Sequence, residues 1–324
     1  MPLSKKIASF CENFKQLEIP VSVYDKATEG IVDGTGVGIA AKNYDFAQSI
    51  IKTLSQLSEK GDISIFGHKL RLSVRDSIIA NSALIHGLDF DDTHTGSVTH
   101  CTASLWPTCY ALGVSLKKSG TDILNAYILG YEIATRLGLQ ANGLLQSKGY
   151  HPTGVMGVFG CTVSACYLKG SNANQIENAL GIALSMSSGN MQFIDEGAWN
   201  KRLHPGWAGL SAIFASSFAE NEFVGPKLAF EGRFGLFKTL LGNDFDSSLK
   251  IKNKNSTVFF QTDNVMSINE AKRIGKIDKI DFAFIMPFLT GCYPGFYKMP
   301  INKKIVEAKK KNNSSNKLAV KISE

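Results

Sequence analysis

Helical periodicity constrains this chain more than any other feature. Within residues 1–242, stretches at about 4–17, 21–41, 44–60, 73–90, 103–118, 120–146, 153–169, 173–187 and 206–222 place apolar side chains near a 3.6-residue period. Several are crowded with Gly, Ala and Ser, as in GVMGVFGCTVSACYLKG (154–170). Small side chains let helix backbones approach closely, so these segments are expected to pack around one shared core. Only GDISIFGHKLRLS (61–73) alternates like a short hairpin. The sequence has no βαβ alternation, and GTGVG (34–38) has neither the spacing nor the preceding strand of a nucleotide-binding loop. The expected fold class is mainly α, with a large all-helical domain over 1–242.

Beyond residue 242 the composition shifts. Residues 243–324 are richer in Lys, Asn and Ile, hold no histidine, and offer only short apolar pieces such as FAFIMPFLTGCYPGFY. Charge divides at the same place. Residues 1–242 carry 20 Lys+Arg and 20 Asp+Glu, and the remainder carries 15 and 8, which accounts for the whole net charge of +7. A neutral body with a basic tail lacking interleaved aromatics is not a nucleic-acid groove, so no nucleic-acid partner is expected and the tail reads as a solvated, partly disordered end. No uncharged stretch approaches the roughly 18 apolar residues of a membrane span, and the N-terminus has no apolar core of secretory length. The six cysteines form no CxxC pair or regular framework and read as reduced thiols. No membrane partner is expected, and the location expected is the cytoplasm.

Three polar stretches interrupt the apolar helices. HGLDFDDTHTGSVTHCTAS (86–104) sets three aspartates and two further histidines after a helix expected to run out near Phe90. Carboxylates at a helix C-terminus oppose its dipole, so Asp89, Asp91 and Asp92 need compensating partners. Asp92 or Thr93 could cap the next turn and Asp89 could pair with a distant lysine; alternatively one aspartate fixes the tautomer of a nearby histidine, as a general acid/base requires. DFDD also matches the DxDD pattern of proton-initiated terpene cyclases, and Asp91, His94 and His100 could ligate a metal, although their spacing fits no helical HxxxH pair and no CxxC accompanies them. In SKGYHPTGVMGVFG (147–160), Thr153 reads as the N-cap of a small-residue helix, placing His151 beside backbone N–H groups that favour anions, or else merely filling the turn. In DEGAWNKRLHPGWAG (195–209), Lys201, Arg202 and His204 precede Pro205 at a helix start, with one of the two cations open to reading as a solvated face. Together these turns would form a pocket with histidines as proton carriers and a lysine for a carboxylate.

IHGLDFDDTH, the histidine in VTHCTAS, GYHPTGVMG, KRLHPGWAG and FEGRFGLF resemble, in the same order, the motifs of the MmgE/PrpD family. That family includes 2-methylcitrate dehydratase, cis-aconitate decarboxylase and an iminodisuccinate epimerase. The resemblance covers about residues 1–242. It implies a metal-free, cofactor-free enzyme acting on small di- and tricarboxylic acids, a homodimer of a large helical domain with a smaller α/β lid domain. It also implies that Asp89, Thr93, His100, His151 and Lys201 line the active site, with His204 a neighbour in the same motif. Within that frame His100, oriented by Asp89, is the expected proton-moving group and His151 the second acid/base or carboxylate donor. Lys201, with Thr93 and His204, is expected to bind substrate and to stabilise the charge that develops beside a carboxylate.

The lid domain of such proteins supplies a further lysine and histidine in a stretch resembling KPYPCCxxTH. Here no histidine follows His204, and the nearest piece, IMPFLTGCYPGFYK, offers Cys292, Tyr293, Pro294 and Lys298. Residues 243–324 are therefore expected to be a truncated or divergent lid remnant, the chain being a truncated or frame-shifted member. Two functions remain open on the sequence: a lyase of the 2-methylcitrate dehydratase type, or a member that folds and dimerises without turnover.

Overall fold

The computed structural model describes residues 1–244. The expectation of a lid remnant in 243–324 lies, but for its first two residues, outside them. The chain runs α1 (Leu3–Asn13), α2 (Val21–Ala41), α3 (Asp45–Leu57), β1 (Lys60–Ser64), β2 (Arg71–Leu72), α4 (Val74–His86), α5 (Cys101–Ser115), α6 (Gly120–Ala141), α7 (Leu144–Ser147), α8 (Pro152–Lys169), α9 (Ala173–Leu184), α10 (Phe193–Glu196), α11 (His204–Glu220) and α12 (Leu236–Leu241). The described part is mainly helical, as periodicity predicts. The 61–73 stretch is the two-stranded antiparallel hairpin β1–β2, which lays Ile63, Ile65 and Leu72 in the core.

Helix starts follow side-chain chemistry. Ser119 with Asp122 and Asn172 with Gln175 form reciprocal capping boxes at α6 and α9, and Ser73 caps α4 through the Asp76 N–H. The centre of the domain is α8, which buries every residue from Pro152 to Leu168 and packs against α5, α6, α9 and α11. Its glycines make those approaches feasible. A Cβ at Gly160 would lie 2.6 Å from the Gly130 carbonyl oxygen of α6, and one at Gly157 would lie 2.9 Å from Ser104 Oγ of α5. The five described cysteines, Cys11, Cys101, Cys109, Cys161 and Cys166, are free and buried. No helix of the described residues is long and apolar enough to cross a membrane.

Two sequence expectations need correction. Helix α4 stops at His86 rather than near Phe90, because the chain turns at once: Asp89 has φ +58°, in the left-handed region that aspartate tolerates better than most side chains. Thr153 is not the N-cap of α8; His151 is. The Thr153 hydroxyl instead accepts the His100 backbone N–H at 3.0 Å, tying the start of α5 to the start of α8.

Candidate active site

Three long helices begin at one place, and each begins with a histidine. His100 is the N-cap of α5, His151 is the N-cap of α8, and His204 is the first residue of α11, followed by Pro205. At none of these starts does the N-cap residue's own side chain cap the helix, and the positive ends of three dipoles face the ring cluster. The His86 ring, from the end of α4, lies edge-on to His100 at 4.9 Å between centroids and stacks on His151 at 5.4 Å. His151 in turn meets His204, Nδ1 to Nδ1, at 3.0 Å. Phe193 of α10 closes the apolar side, 5.8 Å from both His151 and His204.

The charged partners come from the turn after α4 and the 3₁₀ turn before α11. Lys201 Nζ donates to Asp89 Oδ1 at 2.5 Å, and the same oxygen lies 3.8 Å from His100 Nε2. Thr93 Oγ1 is 3.2 Å from His100 Nδ1, and Asp91 Oδ1 is 3.6 Å from that nitrogen. Every site residue expected from sequence, Asp89, Thr93, His100, His151, Lys201 and His204, is thus brought into one cluster. Arg202 is no solvated face: it is buried, donates to the Gly87 carbonyl and lies over the Phe46 ring, fixing the end of α4. Asp92 does cap a helix, accepting the Thr102 N–H of α5 while Tyr131 donates to its other oxygen.

Burial sets the electrostatics. It holds the imidazoles neutral, lowering His86 to about 3 and His204 to about 4 and lowering His100 and His151 as well. Burial alone would raise Asp89, but the Lys201 ammonium overrides it and keeps the carboxylate ionised. Asp91 has no such counter-ion, and burial pushes it up to about 6. The site therefore combines one fixed ion pair with rings that burial holds neutral at neutral pH.

The metal alternative named a different set. His94 bonds to Ser97 instead, and among the described residues the compact donor group is His86, Asp89, Asp91 and His100, whose ligating atoms lie within 4.8 Å of one another. Two imidazoles and two carboxylates suit a transition metal in kind, yet the Lys201 ammonium already sits on the Asp89 carboxylate.

His86 is the member that sequence reasoning missed, and Asp91 was named only among the aspartates needing a partner and as a metal ligand. A histidine closing an apolar helix reads as core, and only its spacing to Asp89 and Asp91 in HGLDFD hints otherwise. Gly189 was also missed: its φ of +138° suits glycine alone, its carbonyl accepts the His151 N–H at 2.9 Å, and a Cβ there would lie 3.3 Å from His204 Nδ1.

The pattern that defines the MmgE/PrpD N-terminal domain matches residues 5–248. The chain belongs to the MmgE/PrpD family. Relatives within it include the cis-aconitate decarboxylase-like protein oryM of Aspergillus oryzae, 26% identical over 246 residues, which are 74% of this chain and 51% of that protein. Cis-aconitate decarboxylase of Aspergillus terreus is 24% identical over 72% of this chain and 49% of its own length. The Homo sapiens cis-aconitate decarboxylase is 27% identical over 72% and 50%. This MmgE/PrpD chain thus spans about half the length of the curated relatives it matches.

Proposed function

We propose that the chain is a lyase for a small tricarboxylic acid of the cis-aconitate kind, working by histidine proton transfer without a metal or redox cofactor. The observation that carries this reading is the opening of three histidine-headed helix N-termini onto the Lys201–Asp89 pair. Helix N-termini and an ammonium are what a polycarboxylate needs to leave water. Loss of CO2 leaves an electron pair that, in an unsaturated acid, moves through the double bond toward a remaining carboxylate. Lys201 and the dipoles stabilise that charge, and a histidine that takes up a proton from water as the bound polyanion raises its proton affinity delivers the proton that quenches it. His100 takes the proton-moving role, His151 that of second acid/base or carboxylate donor, and Thr93, Lys201 and His204 hold substrate. Dehydration of 2-methylcitrate would use the same roles, one group removing a carbon-bound proton and another protonating the leaving hydroxyl. Decarboxylation ranks first because the relatives carry that name.

A second reading is a member that folds and binds polycarboxylates without turnover. Homodimerisation is proposed too, through the outer face of α11, where Trp207, Phe214 and Phe218 are each more than a third exposed. The buried free thiols suit a reducing compartment such as the cytoplasm. Purified chain given cis-aconitate or 2-methylcitrate, with CO2 release and loss of substrate followed, tests the activity. CO2 release from cis-aconitate, abolished in His100→Gln, is expected. Turnover of 2-methylcitrate alone would replace the substrate, and ligand-induced stabilisation with no turnover of either would establish the second reading.

A further inference from the structure

His151 and His204 stand at the starts of two different helices, α8 and α11, yet their buried rings meet Nδ1 to Nδ1 at 3.0 Å. That is the length of a hydrogen bond, and among the described residues neither Nδ1 has a second hydrogen-bond partner. Two bare ring nitrogens only repel, and two N–H groups facing each other clash, so the contact needs one proton. Burial above all, with His86 and Lys201 nearby, holds both rings neutral, and His100 is the further titratable group that faces His151. A neutral imidazole carries a single N–H. The ring that donates at Nδ1 therefore has a bare Nε2, and the ring that accepts carries its proton on Nε2. The surroundings hold the rings in this contact. The Gly189 carbonyl accepts the His151 backbone N–H at 2.9 Å, a Cβ on Gly189 would stand 3.3 Å from His204 Nδ1 and 3.5 Å from His151 Cβ, and Phe193 lies edge-on to both rings.

We infer that His151 and His204 share one proton between their Nδ1 atoms, so that the rings hold opposite tautomers and the pair offers one Nε2–H donor and one bare Nε2 acceptor. Such a pair passes protons. A proton taken from water at the bare Nε2 makes that ring cationic; its Nδ1–H bond breaks as the shared proton bonds to the partner's Nδ1, and the partner's Nε2–H bond breaks to release a proton to the reacting molecule. One proton enters, one leaves, and the two tautomers have exchanged. His204 is thereby the relay partner of the second acid/base rather than only a contact for substrate. The relay rests on the function proposed above; the shared proton does not.

The decisive measurement labels the histidines of the full chain with 15N and reads the rings by NMR near pH 8. One Nδ1–H ring and one Nε2–H ring are expected at His151 and His204, or two rings averaged between those forms where the shared proton hops fast, joined by a 15N–15N coupling across the hydrogen bond. That coupling should vanish in His204→Gln, which assigns it, and persist in His68→Gln. The same tautomer fixed on both rings, two cationic rings, or no coupling would overturn the inference, and none of these outcomes needs a variant to fold. If the chain turns over substrate, His204→Gln keeps an amide able to bond to His151 Nδ1 but unable to pass a proton, and it should lower kcat on the order of 100-fold, beyond any change in KM. A raised KM at unchanged kcat would overturn the relay and leave His204 as a substrate contact. The shared proton found in a chain with no activity would count against the proposed function and leave the proton-sharing pair standing.

Discussion

At the residue scale the site depends on Lys201, because it answers the charge of Asp89 and sits where a substrate carboxylate would be met. Lys201→Met takes the ammonium away from Asp89, a mostly buried carboxylate. Its side chain keeps 27% exposure, so water softens the loss, and the expected cost is about 2 kcal/mol, below the usual figure for breaking a buried pair. Asp89→Asn added to Lys201→Met should restore most of that stability and none of the ligand binding, checked by paired denaturant melts and titrations. Undiminished stability in the single variant would mean the pair contributes nothing. The residues that carry this chemistry were legible as motifs: Asp89, Thr93, His100, His151, Lys201 and His204 each stand in a polar turn interrupting apolar helix. His86 was not legible, since burial and the two neighbouring rings of His100 and His151 give it its place, and neither ring is local in sequence.

At the element scale the helices were legible because their period is, whereas the turns between them were not. The loop after α4 shows why. Asp89 and Val98 both have positive φ, +58° and +56°, and a β-branched valine in that region is a conformation that only the surrounding fold imposes. Thr153 likewise gave up the local cap expected of it for a bond to the start of α5, a tertiary preference overriding a local one. Helix crossings give a sharper test of the packing. Gly160→Ala places a methyl within 2.6 Å of the Gly130 carbonyl, so α6 and α8 must separate. It should destabilise by about 1–3 kcal/mol. Gly36→Ala, on α2 with nothing within 4 Å of the new Cβ, should instead stabilise by up to about 1 kcal/mol. Urea melts of the two variants check the contrast in sign. Equal effects would mean that helix propensity rather than close approach decides.

At the scale of the whole molecule the buried rings couple stability to pH. His86 and His204, held to about 3 and about 4, together with His100 and His151, stay neutral in the fold but take up protons once unfolded below their ordinary value of 6.5. Their contribution is present above pH 6.5 and is lost as the pH falls. Asp91 and Asp92, raised to about 6, act oppositely, holding protons in the fold between 3.8 and 6 that the unfolded chain has released. Four histidines outweigh two aspartates, so stability should fall on acidification from pH 7 to pH 5, by roughly 1–3 kcal/mol per pH unit at the lower end. Chemical denaturation across that range reads it, and a flat profile would mean the rings are not held neutral. The large helical domain, its hairpin and its family were open to sequence reading because they rest on period and motif. The joint start of α5, α8 and α11 was foreseen only as convergence, without the ring-on-ring arrangement that burial creates. Titration calorimetry of the full chain with propane-1,2,3-tricarboxylate, a saturated tricarboxylate that cannot react, tests that convergence most directly. The account predicts saturable binding at one site per chain, weakened roughly 10-fold or more in Lys201→Met and unchanged in His68→Gln. No saturable heat, or equal affinity in Lys201→Met, would contradict it.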